Sequence, residues 1–67
     1  DVLAVALVRK QNDTQYRVSM RSKGDVSVRS VAVPFGGGGH VNAAACSIPG
    51  SRATVTQAVI DAIGAIL

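Results

Sequence analysis

VPFGGGGHVNAAACS, residues 33–47, sets four consecutive glycines between an apolar segment and an alanine-rich one, with the chain's single histidine, His40, directly after them. A flexible spacer is usually embedded in further glycine, serine or proline. Here Val31, Val33 and Phe35 lead in and helix-compatible alanines lead out, so the run reads as a built loop. Glycine reaches positive φ cheaply and leaves its amide uncovered, so Gly36 to Gly39 can turn several N–H groups toward one point. If His40 opens a helix, that point is also a helix N-terminus, which favours a phosphate or carboxylate. Neither the Lys-Ser/Thr pair of a P-loop nor GxGxxG spacing accompanies the run.

Working outward, Val28, Val31, Ala32 and Phe35 fall at i, i+3, i+4 and i+7, one helical face, with Pro34 distorting the last turn before the glycines. Val26 to Val28 suits a short strand, with 23–25 as a turn before it. Residues 15–22 alternate: Tyr16, Val18 and Met20 point one way, Arg17, Ser19 and Arg21 the other. Two cations therefore share one strand face. Residues 2–8 are apolar at every position, which predicts a central strand covered on both faces, and 9–14 form a polar hairpin connection. On the C-terminal side, 40–45 suit a short helix or turn, and 46–48 a strand closed by Pro49 and Gly50. Thr54 and Gln57 have capping-box spacing, and Val55, Val59, Ile63 and Ile66 predict an amphipathic helix over 55–66. Thr56 and Asp61 are its expected solvent positions. Gly64 costs that helix about 1 kcal/mol relative to alanine, which close packing would justify.

The 67 residues make a single small domain with a thin core. Most of its 48% hydrophobic content must face inward, so a large ligand site would be shared with another domain. A net charge of +3 fits an anionic ligand, while one Tyr, one Phe and no Trp leave little aromatic material for a free-standing single-strand binder of the stacking-platform kind. The lone Cys46 excludes an internal disulfide and reads as a buried apolar residue. Asp1, Asp13, Asp25 and Asp61 are scattered, so no metal-hydrolase set is apparent in the chain. Nothing at the start of these residues resembles a signal peptide, and no apolar run reaches membrane-spanning length. The expectation is a soluble cytoplasmic protein, and a chain opening on Asp1 rather than Met is expected to be a fragment. His40 itself has three readings: a structural residue, a hydrogen-bond donor to phosphate, or a general acid/base.

Residues 17–48, RVSMRSKGDVSVRSVAVPFGGGGHVNAAACSI, resemble the DHHA1 domain, the C-terminal domain of the DHH phosphoesterases, nearest to the nanoRNase and pAp phosphatase branch. A related domain ends alanyl-tRNA synthetases. The resemblance implies an α+β fold: a small mixed β-sheet with helices packed on it, a glycine-rich loop before a short helix, and a C-terminal amphipathic helix. It also implies a single substrate-binding domain over 1–67, separated from a catalytic DHH domain against which it would pack. That missing domain would hold manganese; this chain would hold no cofactor and no catalytic residue. The implied ligand is a short RNA or DNA oligonucleotide or a small phosphorylated nucleotide, and a homodimer stays open. Carried over by position, Arg21 and Ser22 would contact phosphate, Gly37, Gly38 and Gly39 would offer backbone contacts, and His40 would hydrogen-bond near the scissile phosphate. Asn42 would support the loop or touch the nucleotide. The chain departs from the usual pattern at Ala45, where glycine is expected, and at Pro34. The Ala45 methyl is expected to narrow a close approach or to call for an ordinary backbone angle.

Overall fold

The computed structural model describes residues 3–67; Asp1 and Val2 lie outside it. The order is β1 (Ala4–Lys10), β2 (Gln15–Ser22), α1 (Arg29–Ala32), a 3₁₀ turn (Val33–Phe35), β3 (Gly38–His40), β4 (Ala43–Pro49) and α2 (Arg52–Ile66). The strands form one sheet in the order β1-β2-β4-β3. Four strands with helices packed on them make the α+β fold that the sequence predicts, and each pairing between the described strands is antiparallel.

Alternation in β2 decides which side is filled. Val18 and Met20 are fully buried and meet Ala44, Cys46 and Ile48 of β4, Val31 of α1, and Val55 and Val59 of α2. Both helices thus cover the same face. Burying a side chain the size of Met20 contributes about 1.5–3 kcal/mol, which makes this single layer the main source of cohesion. Cys46 sits in it, as expected, and burial pushes its thiol pKa up, with the Arg17 charge opposing the rise.

Three expectations fail for identifiable reasons. The apolar run at 2–8 is not a central strand: β1 is at the edge of the sheet, and Val5 and Leu7 are 54% and 63% exposed. Val2 of that run lies outside the described residues. The described chain has two helices, both committed to the other face, so no element remains to cover this one. Val26 to Val28 form no strand. Their backbone is instead drawn into a turn, where the Val28 N–H donates to Val41 O (2.9 Å) and Val26 O accepts from the Ser22 hydroxyl (2.6 Å). The glycine run is not followed by a helix, because the chain passes from Gly38 directly into β3 and returns as β4.

Smaller differences concern boundaries. Strand β1 continues through Arg9 and Lys10, which the sequence reading assigned to the connection. The connection tightens around Asn12, whose Oδ1 accepts from Thr14 N (2.9 Å) and Gln15 N (3.1 Å). Helix α2 starts at Arg52, because Ser51 is the N-cap, its hydroxyl accepting from Thr54 N (3.2 Å). Thr56 is half-buried, lining a groove between β1 and α2 with Ala6, Val8 and Ile63. Gly64 is exposed, and a Cβ there would meet nothing within 4 Å, so close packing does not explain it. Among the described residues no helix is long and apolar enough to cross a membrane.

Candidate nucleotide-binding face

The bare sheet face collects the polar residues. Strand register aligns Val5, Arg21, Ala43 and His40 in one row across β1, β2, β4 and β3. The next row is Leu7, Ser19, Ala45 and Gly38, and a further row is Arg9, Arg17 and Ser47. Arg21 and His40 therefore lie two strands apart, about 10 Å between Cα atoms at the usual strand spacing. Between them lie only the alanine methyls of β4. A ligand can rest on that floor with a guanidinium on one side and an imidazole on the other.

Each predicted residue finds a definite place. Arg21 is exposed, with one Nη1 N–H donated to Met20 O (3.1 Å); the remaining guanidinium N–H groups are open to a ligand. It also lines a shallow depression of about 200 Å³ with Leu3, Val5 and Lys23. His40 is exposed at the end of β3, paired with Ala43, and its side chain makes no hydrogen bond to another described residue.

The glycines divide into two pairs. Gly36, at φ +81°, is the left-handed stop of the 3₁₀ turn, and its N–H donates to Val33 O (2.9 Å). The Gly37 N–H is likewise engaged, to Ala32 O (3.0 Å). Only Gly38 and Gly39 enter β3, an edge strand of the described sheet opposite β1, where alternate residues turn their amides outward. Gly37 and Gly39 lie so close to β4 that side chains are excluded. A Cβ on Gly37 would strike Ala45 O and stand 2.6 Å from Cys46 Cβ, and one on Gly39 would stand 2.5 Å from Ala43 O. The convergent amides of a loop capped by a helix are thus replaced by a strand edge.

Ser22 and Asn42 come together away from that floor. The Asn42 amide donates to Ser22 Oγ (3.1 Å), Gly24 O (3.2 Å) and Val26 O (3.3 Å), while the Ser22 N–H donates to Asn42 O (3.0 Å). They fasten the turn after β2 to the β3–β4 turn, which fixes the ends of the strands bearing Arg21 and His40. The two departures from the usual pattern are absorbed. Ala45 occupies an ordinary β4 position, no described non-glycine residue having positive φ, and Pro34 lies in the first turn of the 3₁₀ segment, where its lack of an N–H costs little.

No three His, Cys, Asp or Glu side chains gather into a possible metal site among the described residues. His40 lies in β3, Asp61 in α2, Asp13 in the β1–β2 connection and Asp25 in the turn after β2. The donor set of the described residues does not fit a resident metal. What the sequence reading missed is Arg9. Its alternation with Val5 and Leu7 was visible, but only the strand pairing places it opposite Arg17.

An antiparallel sheet with a single helical layer leaves the face that carries Arg9, Arg17 and Arg21 uncovered among the described residues. The chain belongs to the DHHA1 domain family, which it matches over 1–67. It is 39% identical, over 46 residues, to the bifunctional oligoribonuclease and PAP phosphatase NrnA of Thermus thermophilus. That alignment covers 69% of this chain and 14% of the relative's length.

Proposed function

We propose that this domain binds, without itself cleaving, the phosphate of a short oligonucleotide or small phosphorylated nucleotide. The observation that carries the reading is the row Arg21–Ala43–His40 on an uncovered sheet face. Arg21 supplies a fixed charge with several donors, His40 supplies an imidazole N–H, and the outward amides of β3 add neutral donors at the sheet edge beside His40. Ser22 and Asn42 act as braces for the turn beneath, and Gly37 and Gly39 hold β3 against β4.

The relative's name describes an oligoribonuclease and PAP phosphatase. We extend this to the chain as follows: it serves a longer cytoplasmic polypeptide in which a DHH domain, packed against it, performs metal-dependent phosphoester hydrolysis. Any manganese would be held by residues outside this chain, and no step of the chemistry is assigned to residues here. The role of this domain is to position the phosphate and offset its charge. Noncatalytic nucleic-acid binding, as in a synthetase appendage, uses the same face and the same donors.

The test is a titration of the chain with a 5′-phosphorylated diribonucleotide, followed by backbone amide shifts. Saturable shifts centred on Arg21, Gly38, Gly39 and His40 are expected. Arg21→Ala and His40→Ala should each weaken binding on the order of tenfold or more, the scale of one lost charge-assisted hydrogen bond. Unchanged affinity in both variants, with native amide dispersion retained, would sink the reading.

A further inference from the structure

Arg9 and Arg17 stand directly opposite each other on the same bare face as Arg21 and His40. Like charges directly opposite each other across two strands repel and destabilise the sheet, and a carboxylate beside them would relieve it. Neither arginine has one: among the described residues the ion pair is Lys10–Asp13, at the hairpin end. Arg17 is moreover half-buried and braced, its Nη1 donating to Ser47 Oγ (3.4 Å), which itself donates to Gln11 Oε1 (2.7 Å). A repelling pair held in place by a relay of side chains is a site that lacks its counter-charge.

Four residues separate Arg17 from Arg21 along β2, a distance of about 13 Å at the rise of a strand. A nucleic-acid backbone advances six single bonds per phosphate. By the bond lengths that give a peptide about 3.3–3.6 Å per three bonds, this is at most about 7 Å. The two rows are therefore about two phosphodiester linkages apart. Between them lie Leu7, Ser19, Ala45 and Gly38, a row with no charge to desolvate and no bulky side chain on β3 or β4 to block passage.

We infer that Arg9 and Arg17 form a second phosphate subsite, which receives the backbone of a single-stranded oligonucleotide two linkages away from the phosphate at Arg21 and His40. This rests on the phosphate-binding reading above and deepens it, since it makes the face a reader of chain length. A dinucleotide reaches only the first row. A tetranucleotide spans both.

The experiment measures, by calorimetry with EDTA present, the affinity of 5′-phosphorylated di- and tetraribonucleotides for the full-length polypeptide that carries this chain. The wild type and the double variant Arg9→Gln/Arg17→Gln are compared. In the wild type the tetranucleotide should bind on the order of tenfold tighter, and its log K should fall more steeply with log salt, by about 0.7 per added phosphate contact. The double variant should keep the dinucleotide affinity and lose both the gain and the added slope. Dinucleotide binding with no length gain, or a gain that the double variant keeps, overturns this inference and leaves the first subsite standing. Absence of saturable binding at either length overturns the phosphate reading itself, and this inference with it. Ser47→Ala, which frees Arg17 from its brace, should reduce the length gain by a smaller factor; no reduction would count against the subsite.

Discussion

Replacing one glycine of the run by alanine separates a built strand from a flexible spacer, and the two glycines of β3 should respond oppositely. At Gly39 an added Cβ would stand 2.5 Å from Ala43 O, 2.7 Å from Ala44 Cα and 3.1 Å from Ala44 Cβ. The first two are backbone atoms of the neighbouring strand and cannot swing aside. Gly39 also has φ +136°, where an L side chain adds about 1–3 kcal/mol of backbone strain. Overpacking costs about 1–3 kcal/mol more, so Gly39→Ala should destabilise the domain by about 2–6 kcal/mol. A chain of this length has roughly 3–10 kcal/mol in total at the usual stability per residue. At about 4–8 °C per kcal/mol for a domain of this size, the melting temperature should fall by at least about 8 °C, and loss of folding at 25 °C is within the expected range. At Gly38 a Cβ would meet nothing within 4 Å, and Gly38→Ala should change stability by no more than about 0.5 kcal/mol. Thermal and urea denaturation followed by circular dichroism measures both. Equal melting temperatures for the two variants would refute the close approach of β3 to β4, and with it the placement of His40 opposite Ala43.

Further predictions follow from the same contacts. Gly64→Ala puts a methyl into open space on α2 and should stabilise the domain by about 1 kcal/mol, read as a rise in melting temperature; a fall would mean that something packs there. Asn42→Ala removes the donor that ties Ser22, Gly24 and Val26 together and should cost about 1–2 kcal/mol. Hydrogen exchange should quicken at the Ser22 and Val28 amides, which donate to Asn42 O and Val41 O, and unchanged rates there would contradict the bracing role. Because burial raises the Cys46 thiol pKa above its ordinary 9.0, ionisation favours the unfolded chain. Stability should be unaffected by this group below pH 9 and decline as pH climbs through the folded value, and the decline should be absent in Cys46→Ala when urea midpoints are compared from pH 8 to 10.5.

Much of the fold was legible one element at a time. The alternation from Gln15 to Ser22 told which of its residues are core, because a strand's period of two is a local property of the backbone. The spacing of Val28, Val31 and Ala32 located α1, and Cys46 was recognisably a core residue. Elsewhere local pattern misled. An unbroken apolar run such as β1 signals two covered faces only where enough chain exists to cover both, and here it became an edge strand with Val5 and Leu7 exposed. The glycines were read for their freedom, whereas two of them matter for their lack of a side chain against β4.

The residues of the candidate face were chosen by sequence, but their grouping was not. Arg21, the glycines, His40 and Asn42 stand out by type and motif, and a chain alone can present them. That Arg21 and His40 share a row, that Ser22 turns instead toward Asn42 and Val26, and that Arg9 faces Arg17 all depend on strand register. Register is a relation between segments as far apart as 34 residues, from Gln15 to Pro49. It is set by which set of side chains the shared core can bury, since a slip of one residue would carry every side chain of a strand to the other face. Sequence determined which side chains were available and which faces they could occupy; the packing of one helical layer on one sheet face decided which of them meet.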